Sequence, residues 1–312
     1  MLAKNSGWAH GGASVGAPGE VESPVGLSCF PSTGCLGPLL LALCVGCAGD
    51  PPPPPPALTG GVLAPTPDAL LAMGSGAATP LLQALARAYA AGHPPLPVRV
   101  EPSVGSTGGA AAAADGAVDL GLVARPLRPA EGATLERLPL GLDAVVLAAA
   151  PDVERAGLSH EEVRGLYAGE RASGLTLLLR DAEETANGAL EGAYPELRPL
   201  RESAAASGRF RVLEHDDAMA YALLTTPHAV GVFSLGALTT WRLPLRPLAL
   251  DGQHPTVEAL ARGQWPAVRT LAVVFRPERR ARLAPFLAFA TSAQGRALTR
   301  AAGYLPYAEA PR

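Results

Sequence analysis

Two glycine turns of matching layout hold the residues best suited to chemistry in this chain of 312 residues. The first, Gly74-Ser75-Gly76-Ala77-Ala78-Thr79-Pro80, follows the apolar stretch 69–73 and leads into the periodic run Leu81, Leu82, Leu85, Ala88 and Tyr89. The second, Gly105-Ser106-Thr107-Gly108-Gly109, follows Val98-Arg99-Val100 and leads into an alanine-rich segment and the apolar run 118–123. Each unit reads strand, small-residue turn, helix. Backbone N–H groups and a positive helix end then point at one spot, which holds anions without a lysine. Ser106 and Thr107 add hydroxyl donors, and Thr79 suits a cap just ahead of Pro80 at a first helical position. Taken alone, the first turn also reads as a strand–helix connection whose glycines permit close packing. Two such turns in one domain can converge at the carboxyl edge of its sheet, where open α/β sheets bind ligands.

Other chemistries find no footing. Neither turn contains the Gly-Lys-Ser/Thr of a P-loop or the G-x-G-x-x-G of a dinucleotide site, so no cofactor is expected. No Gly-x-Ser-x-Gly elbow and no cysteine nucleophile occur beyond residue 47, so no enzyme activity is expected. Six histidines lie scattered without zinc spacing, and no metal is expected. In His215-Asp216-Asp217 an aspartate reads as the cap of the next helix rather than as a cation ligand. Asp119, among apolar neighbours, is expected to accept hydrogen bonds from backbone amides. The net charge is −3, the only lysine is Lys4, and no stretch gathers basic residues, which argues against nucleic acid.

The first residues read as an export leader. An apolar run over 36–45 is too short to span a bilayer but has signal-peptide length. Leu43-Cys44-Val45-Gly46-Cys47 resembles the lipobox of bacterial lipoproteins, with Cys47 as the lipidated thiol; the alternatives are a plain signal peptide or a poorly ordered N-terminus with neither role. All four cysteines lie within the first 47 residues, which excludes a disulfide framework from the globular part. The six prolines of 51–56 favour polyproline II and read as a tether over 48–57.

Elements must then place the turns. Strand-like runs at 70–73, 98–100, 118–123, 142–149, 175–179, 229–234 and 270–275 alternate with helical patterns at 80–91, 159–167, 185–193, 216–224 and 256–262. This alternation predicts α/β layers with mainly parallel strands. Ser159, followed by Glu161 and Glu162, reads as a helix N-cap. Residues 278–302 predict two packed helices broken at Ser292-Ala293, with Tyr304 and Pro306 closing the last one. Trp241 and Trp265 read as packing residues. At this length two domains are the better expectation.

Several motifs in order resemble the phosphate-binding proteins of ABC transporters, from about residue 70 to 306. They are 74–80, Val104-Gly105-Ser106-Thr107-Gly108-Gly109, 118–127, Gly165-Leu166-Tyr167-Ala168-Gly169, Gly231-Val232-Phe233-Ser234, Ser292-Ala293-Gln294-Gly295 and Ala302-Gly303-Tyr304-Leu305-Pro306. The resemblance implies a two-domain periplasmic-binding-protein clamshell of type II with central mixed sheets. One domain would be 58–139 with 270–312, the other 140–269, following a 1–47 leader. It also implies ligand contacts at Ala77, Ala78 and Thr79, at Ser106 and Thr107, and cations at Arg125 and Arg180, with Thr185 donating a hydroxyl. On this carry-over, Arg180→Ala is expected to weaken phosphate binding sharply. Ala124 stands where phosphate-specific members carry an aspartate, which removes the acceptor for a protonated oxyanion. Glu183 and Glu184 stand where amides and a serine are expected, so either they face solvent or the ligand is not phosphate. The implied partners are a small anionic ligand and an ABC permease, for a lipid-anchored, extracytoplasmic monomer. The alternative is a clamshell that reports a different ligand to a membrane sensor.

Overall fold

The computed structural model describes residues 64–92, 96–170 and 174–311. All of them fall within one compact unit, Thr59–Arg312. The leader, Cys47 and the proline tether lie outside the described residues. In chain order the elements begin β1 (Leu70–Gly74), α1 (Thr79–Gly92), β2 (Val98–Val100), α2 (Gly105–Ala114), β3 (Leu120–Val123), α3 (Pro129–Gly132), β4 (Glu136–Ala149) and β5 (Gly157–Leu158). They continue α4 (His160–Ala168), β6 (Thr176–Arg180), α5 (Thr185–Ala193), α6 (Leu197–Ala206), β7 (Val212–Leu213), α7 (Asp216–Thr225), β8 (Ala229–Ser234) and α8 (Leu235–Trp241). The last are β9 (Arg246–Pro247), β10 (Ala249–Leu250), α9 (Val257–Ala261), β11 (Val268–Phe275), α10 (Arg280–Thr291), α11 (Ala293–Ala301) and β12 (Leu305–Pro306). No helix among the described residues is long and apolar enough to cross a membrane.

The strands run β2-β1-β3-β11-β4-β8-β6-β7. Pairing is parallel at both ends, β2-β1-β3 and β8-β6-β7, but antiparallel wherever β11 or β4 takes part. The sheet is therefore mixed, as the resemblance implies, because two long strands run between the parallel blocks. β4 pairs with β11 along 136–144 and with β8 along 145–149. Its register slips where Leu271 faces Gly141 and Ala272 faces Pro139. Proline has no N–H to offer the ladder, so a bulge is the geometry that admits it inside a central strand.

Each parallel block carries its own core. One buried cluster draws on 144–267 together with Leu305; two others draw on 70–140 and 271–304. Helix α1 buries Leu81, Leu82, Leu85 and Tyr89, the face its periodicity predicts. Tyr89 meets Phe286 and Phe289 of α10 at ring-centroid distances of 5.3 and 5.5 Å. Each buried side chain of this size stabilises by about 1.5–3 kcal/mol. Helix α4 opens on a reciprocal cap: Glu162 N donates to Ser159 Oγ at 3.2 Å and Ser159 N donates to the Glu162 carboxylate at 2.8 Å.

The second glycine turn is not a loop. Helix α2 starts at Gly105 itself, so Ser106 and Thr107 sit in its first turn, and Val104 ahead of them makes no side-chain cap. The glycines of the two turns also serve packing. A Cβ on Gly109 would lie 2.6 Å from the Gly74 Cα, and one on Gly74 would lie 2.3 Å from the Leu122 carbonyl. Only residues without a side chain let α2 lie this close to β1 and β3.

Candidate functional site

An open cleft of ≈ 1130 Å³ runs between the start of α2 and the start of α5. Ser106, Thr107, Ala124 and Arg125 line it from one side, and Glu183, Glu184 and Thr185 from the other, with Val268, Arg269 and Thr270 of β11 between. Its volume lies somewhat above the usual range of about 300–1,000 Å³ for small-molecule sites, as suits an open cleft.

Ser106 and Thr107 reach this cleft because α2 begins beneath them. Ser106 Oγ accepts from Ala124 N at 3.1 Å, which leaves its own proton to donate. Thr107 Oγ1 accepts from Arg125 Nη2 at 3.3 Å. Arg125 is held by both carboxylate oxygens of Glu131 at 2.7 Å each. That hydrogen-bonded pair raises the Arg125 pKa above its ordinary value. The same contact, aided by the Arg128 amide, lowers the Glu131 carboxyl to about 2. Glu131 escaped the sequence reading, although Pro129 at a first helical position with an acid two residues later is a helix-start signal.

The first turn takes no part in the lining. Ala77 and Ala78 are buried. The Ala78 and Thr79 amides both donate to the Ser75 carbonyl at 3.1 Å, and Thr79 Oγ1 donates to the same oxygen at 3.1 Å. The Ala78 and Thr79 donors are thus used within the turn itself.

Arg180 is set apart as well. Its side chain is wholly buried: Nη1 donates to the His215 carbonyl at 3.0 Å, while Nη2 pairs with Glu184 at 2.7 Å and Asp216 at 3.3 Å. Asp216 therefore serves as a counter-ion rather than as a helix cap; His215 holds the cap position without a side-chain bond. The Glu184 carboxylate, which by itself would repel an anion, is paired with Arg180. Glu183 N donates to Asp181 Oδ1 at 3.0 Å, and both side chains border the cleft.

The strongest feature near Thr185 is an ion pair the sequence reading missed. Asp143 of β4 and Arg269 of β11 face each other in register, and both are buried. Arg269 Nε donates to Asp143 Oδ2 at 2.9 Å and Nη1 to Thr185 Oγ1 at 3.2 Å. Asp143 Oδ1 accepts from Ser234 Oγ at 2.9 Å and Gly236 N at 3.3 Å. Burial pushes the Asp143 carboxyl up from its ordinary value, against the pull of these donors. Burial also opposes the Arg269 cation, but Asp143, Asp216 and Glu184 together hold its pKa above the ordinary value. Arg269 Nη2 is buried without a partner. An unmatched buried donor costs about 1–3 kcal/mol, more when charged. A lone charge inside each of two apolar runs, of opposite sign, was the available signal.

Residues 62–294 match the family model described as the PBP superfamily domain. A structure from Clostridium perfringens, classed as a phosphate ABC transporter substrate-binding protein and holding phosphate, is similar at a TM-score of 0.67 and 16% identity, over 76% of this chain and 99% of that one. An ABC-type phosphate transport receptor from Vibrio cholerae matches at 0.54 and 20% identity, over 76% and 99%. A reduced form of OxyR from N. meningitidis matches at 0.55 and 15% identity, over 77% and 99%. No curated protein matches the chain.

Proposed function

The chain belongs to the PBP superfamily and has its two-domain α/β periplasmic-binding-protein fold, and from that premise we propose that it captures a small oxyanion, phosphate or a close relative, outside the cytoplasm for an ABC transporter. One observation carries the reading: hydroxyls at two helix starts, Ser106 and Thr107 on α2 and Thr185 on α5, border the same cleft. Helix N-termini with hydroxyl donors form an anion site. Fold likeness to a phosphate-holding protein from Clostridium perfringens supports the same reading.

In this proposal 58–139 with 270–312 forms one lobe and 140–269 the other, joined through β4 and β11. Closure about the two crossings buries the ligand, and the closed form is what a permease recognises. No covalent step is involved. A lipid on Cys47 and the proline tether of 48–57 would hold the domain at the membrane as a monomer. A second reading rests on the acids at the cleft, Glu183 and Glu214 among them. They favour a ligand other than phosphate and a membrane sensor as partner. A permease gene beside this one supports transport; a sensor kinase gene supports signalling.

Calorimetric titration of the full chain with phosphate, sulfate and molybdate tests the reading. Binding of one of these ions, weakened in Thr185→Ala, is expected. Heats indistinguishable from dilution for all three would sink it.

A further inference from the structure

Arginines at the cleft and just behind it differ in burial and in the carboxylates they face. Arg128 borders it, and so does Arg198, whose side chain is 61% exposed and pairs with Glu191 at 3.0 Å. Arg125 meets both oxygens of Glu131. Arg201 donates from Nε to the buried Glu191 and also pairs with Glu202. Arg180 faces two carboxylates, Glu184 and Asp216, and does not border the cleft. Arg269 pairs directly with one carboxylate, Asp143, whose oxygens also accept from Ser234 and Gly236. It also donates to the Thr185 hydroxyl, with Asp216 and Glu184 acting on it at longer range.

We infer that Arg269 is the cation that receives the ligand's anionic head group, an oxyanion or a carboxylate, through its unpartnered Nη2. The inference rests on the reading that this cleft captures an anion. Arg269 is 5% exposed, borders the cleft, and holds a donor that nothing in the protein accepts. Asp143 fixes the guanidinium through Nε, and Thr185 Oγ1 takes Nη1, so the group is held in place with Nη2 left over. Thr185 accepts from Arg269 and so keeps its own proton for the same ligand. A planar cation locked at two of its three nitrogens loses little freedom when the third is engaged. Arg269 also sits on β11, one of the two strands that join the parallel blocks. A ligand held there touches the crossing itself, with α2 on one side and α5 on the other. Arg180, by contrast, is a positioning residue that ties β6 to Glu184 and the start of α7.

Removing Arg269 alone strands a buried Asp143, so two variants are compared by calorimetry on the full chain: Arg269→Lys, and the double variant Arg269→Gln with Asp143→Asn. Thermal melts followed by circular dichroism establish that each is folded. The probes are inorganic phosphate, sulfate and succinate, which separate an oxyanion from a carboxylate head group. The wild type is expected to bind at least one probe, and each folded variant to bind that probe about 10- to 100-fold more weakly, the range for a lost charge-assisted hydrogen bond. Either folded variant with wild-type affinity would overturn the role of Arg269 while leaving anion capture intact. A wild type that binds no probe overturns both.

Discussion

Glu131 fastens Arg125 through both oxygens and its backbone neighbour Arg128 through one of them. Its carboxyl stands at about 2, against an ordinary 4.5, chiefly through the Arg125 hydrogen bond. A depressed carboxylate stabilises the fold fully above its ordinary value and ceases to do so as pH falls through about 2. Urea melts of wild type and Glu131→Gln should therefore differ at about pH 6 and converge near about pH 2. A gap that stays constant across that range would contradict the assignment. Ser106→Ala removes the acceptor of the Ala124 amide and is expected to destabilise by about 1–3 kcal/mol, on top of weakening ligand binding. Wild-type stability in that variant would mean the amide finds water instead. At this scale the sequence was only partly legible. Ser106 and Thr107 stand out by type and order, Arg125 and Thr185 come from the family resemblance, and all four border the cleft, whereas Ala77, Ala78, Thr79 and Arg180 do not. Arg269 was passed over because charge pairing between strands 126 residues apart is a property of register, which appears only once β4 and β11 are laid side by side.

At the scale of elements, the glycines of α2 and α5 make opposite predictions. A methyl on Gly109 would meet the Gly74 Cα at 2.6 Å, so Gly109→Ala is expected to destabilise by about 1–3 kcal/mol through overpacking. Gly192, inside α5, has open space around it, and Gly192→Ala is expected to stabilise by about 0.5–1 kcal/mol through helix propensity. Denaturant titration of the two variants checks both signs, and equal shifts would mean the packing argument is misplaced. Periodicity found α1, α4, α5 and α7 within a residue or two, since each buries one clear stripe. It missed α6, whose buried residues include Arg201, and α8, which is short and follows a strand without a break. Alternation of strands and helices pointed to mainly parallel strands, and the mixed sheet came from the family resemblance, because alternation says nothing of the two long strands that cross between the blocks.

At the largest scale, the described residues build helices around a mixed sheet whose parallel ends each carry a separate core, bridged by β4 and β11, with the cleft between the starts of α2 and α5. In the proposed reading, two lobes close about this pair of crossings while each keeps its packing. Ligand that binds only the folded chain should raise its melting temperature, by about 2.7 kcal/mol of added stability at a hundredfold excess over Kd. Scattering should show a smaller radius of gyration on saturation, and an unchanged radius would remove closure from the account. The most direct test of anion capture is anomalous diffraction from crystals grown with arsenate, a phosphate-like ion whose arsenic can be located without reference to protein density. The account predicts one arsenic peak in the cleft, within hydrogen-bonding reach of Ser106, Thr185 and Arg269. An empty cleft at saturating arsenate, or a peak only at the molecular surface, would contradict it.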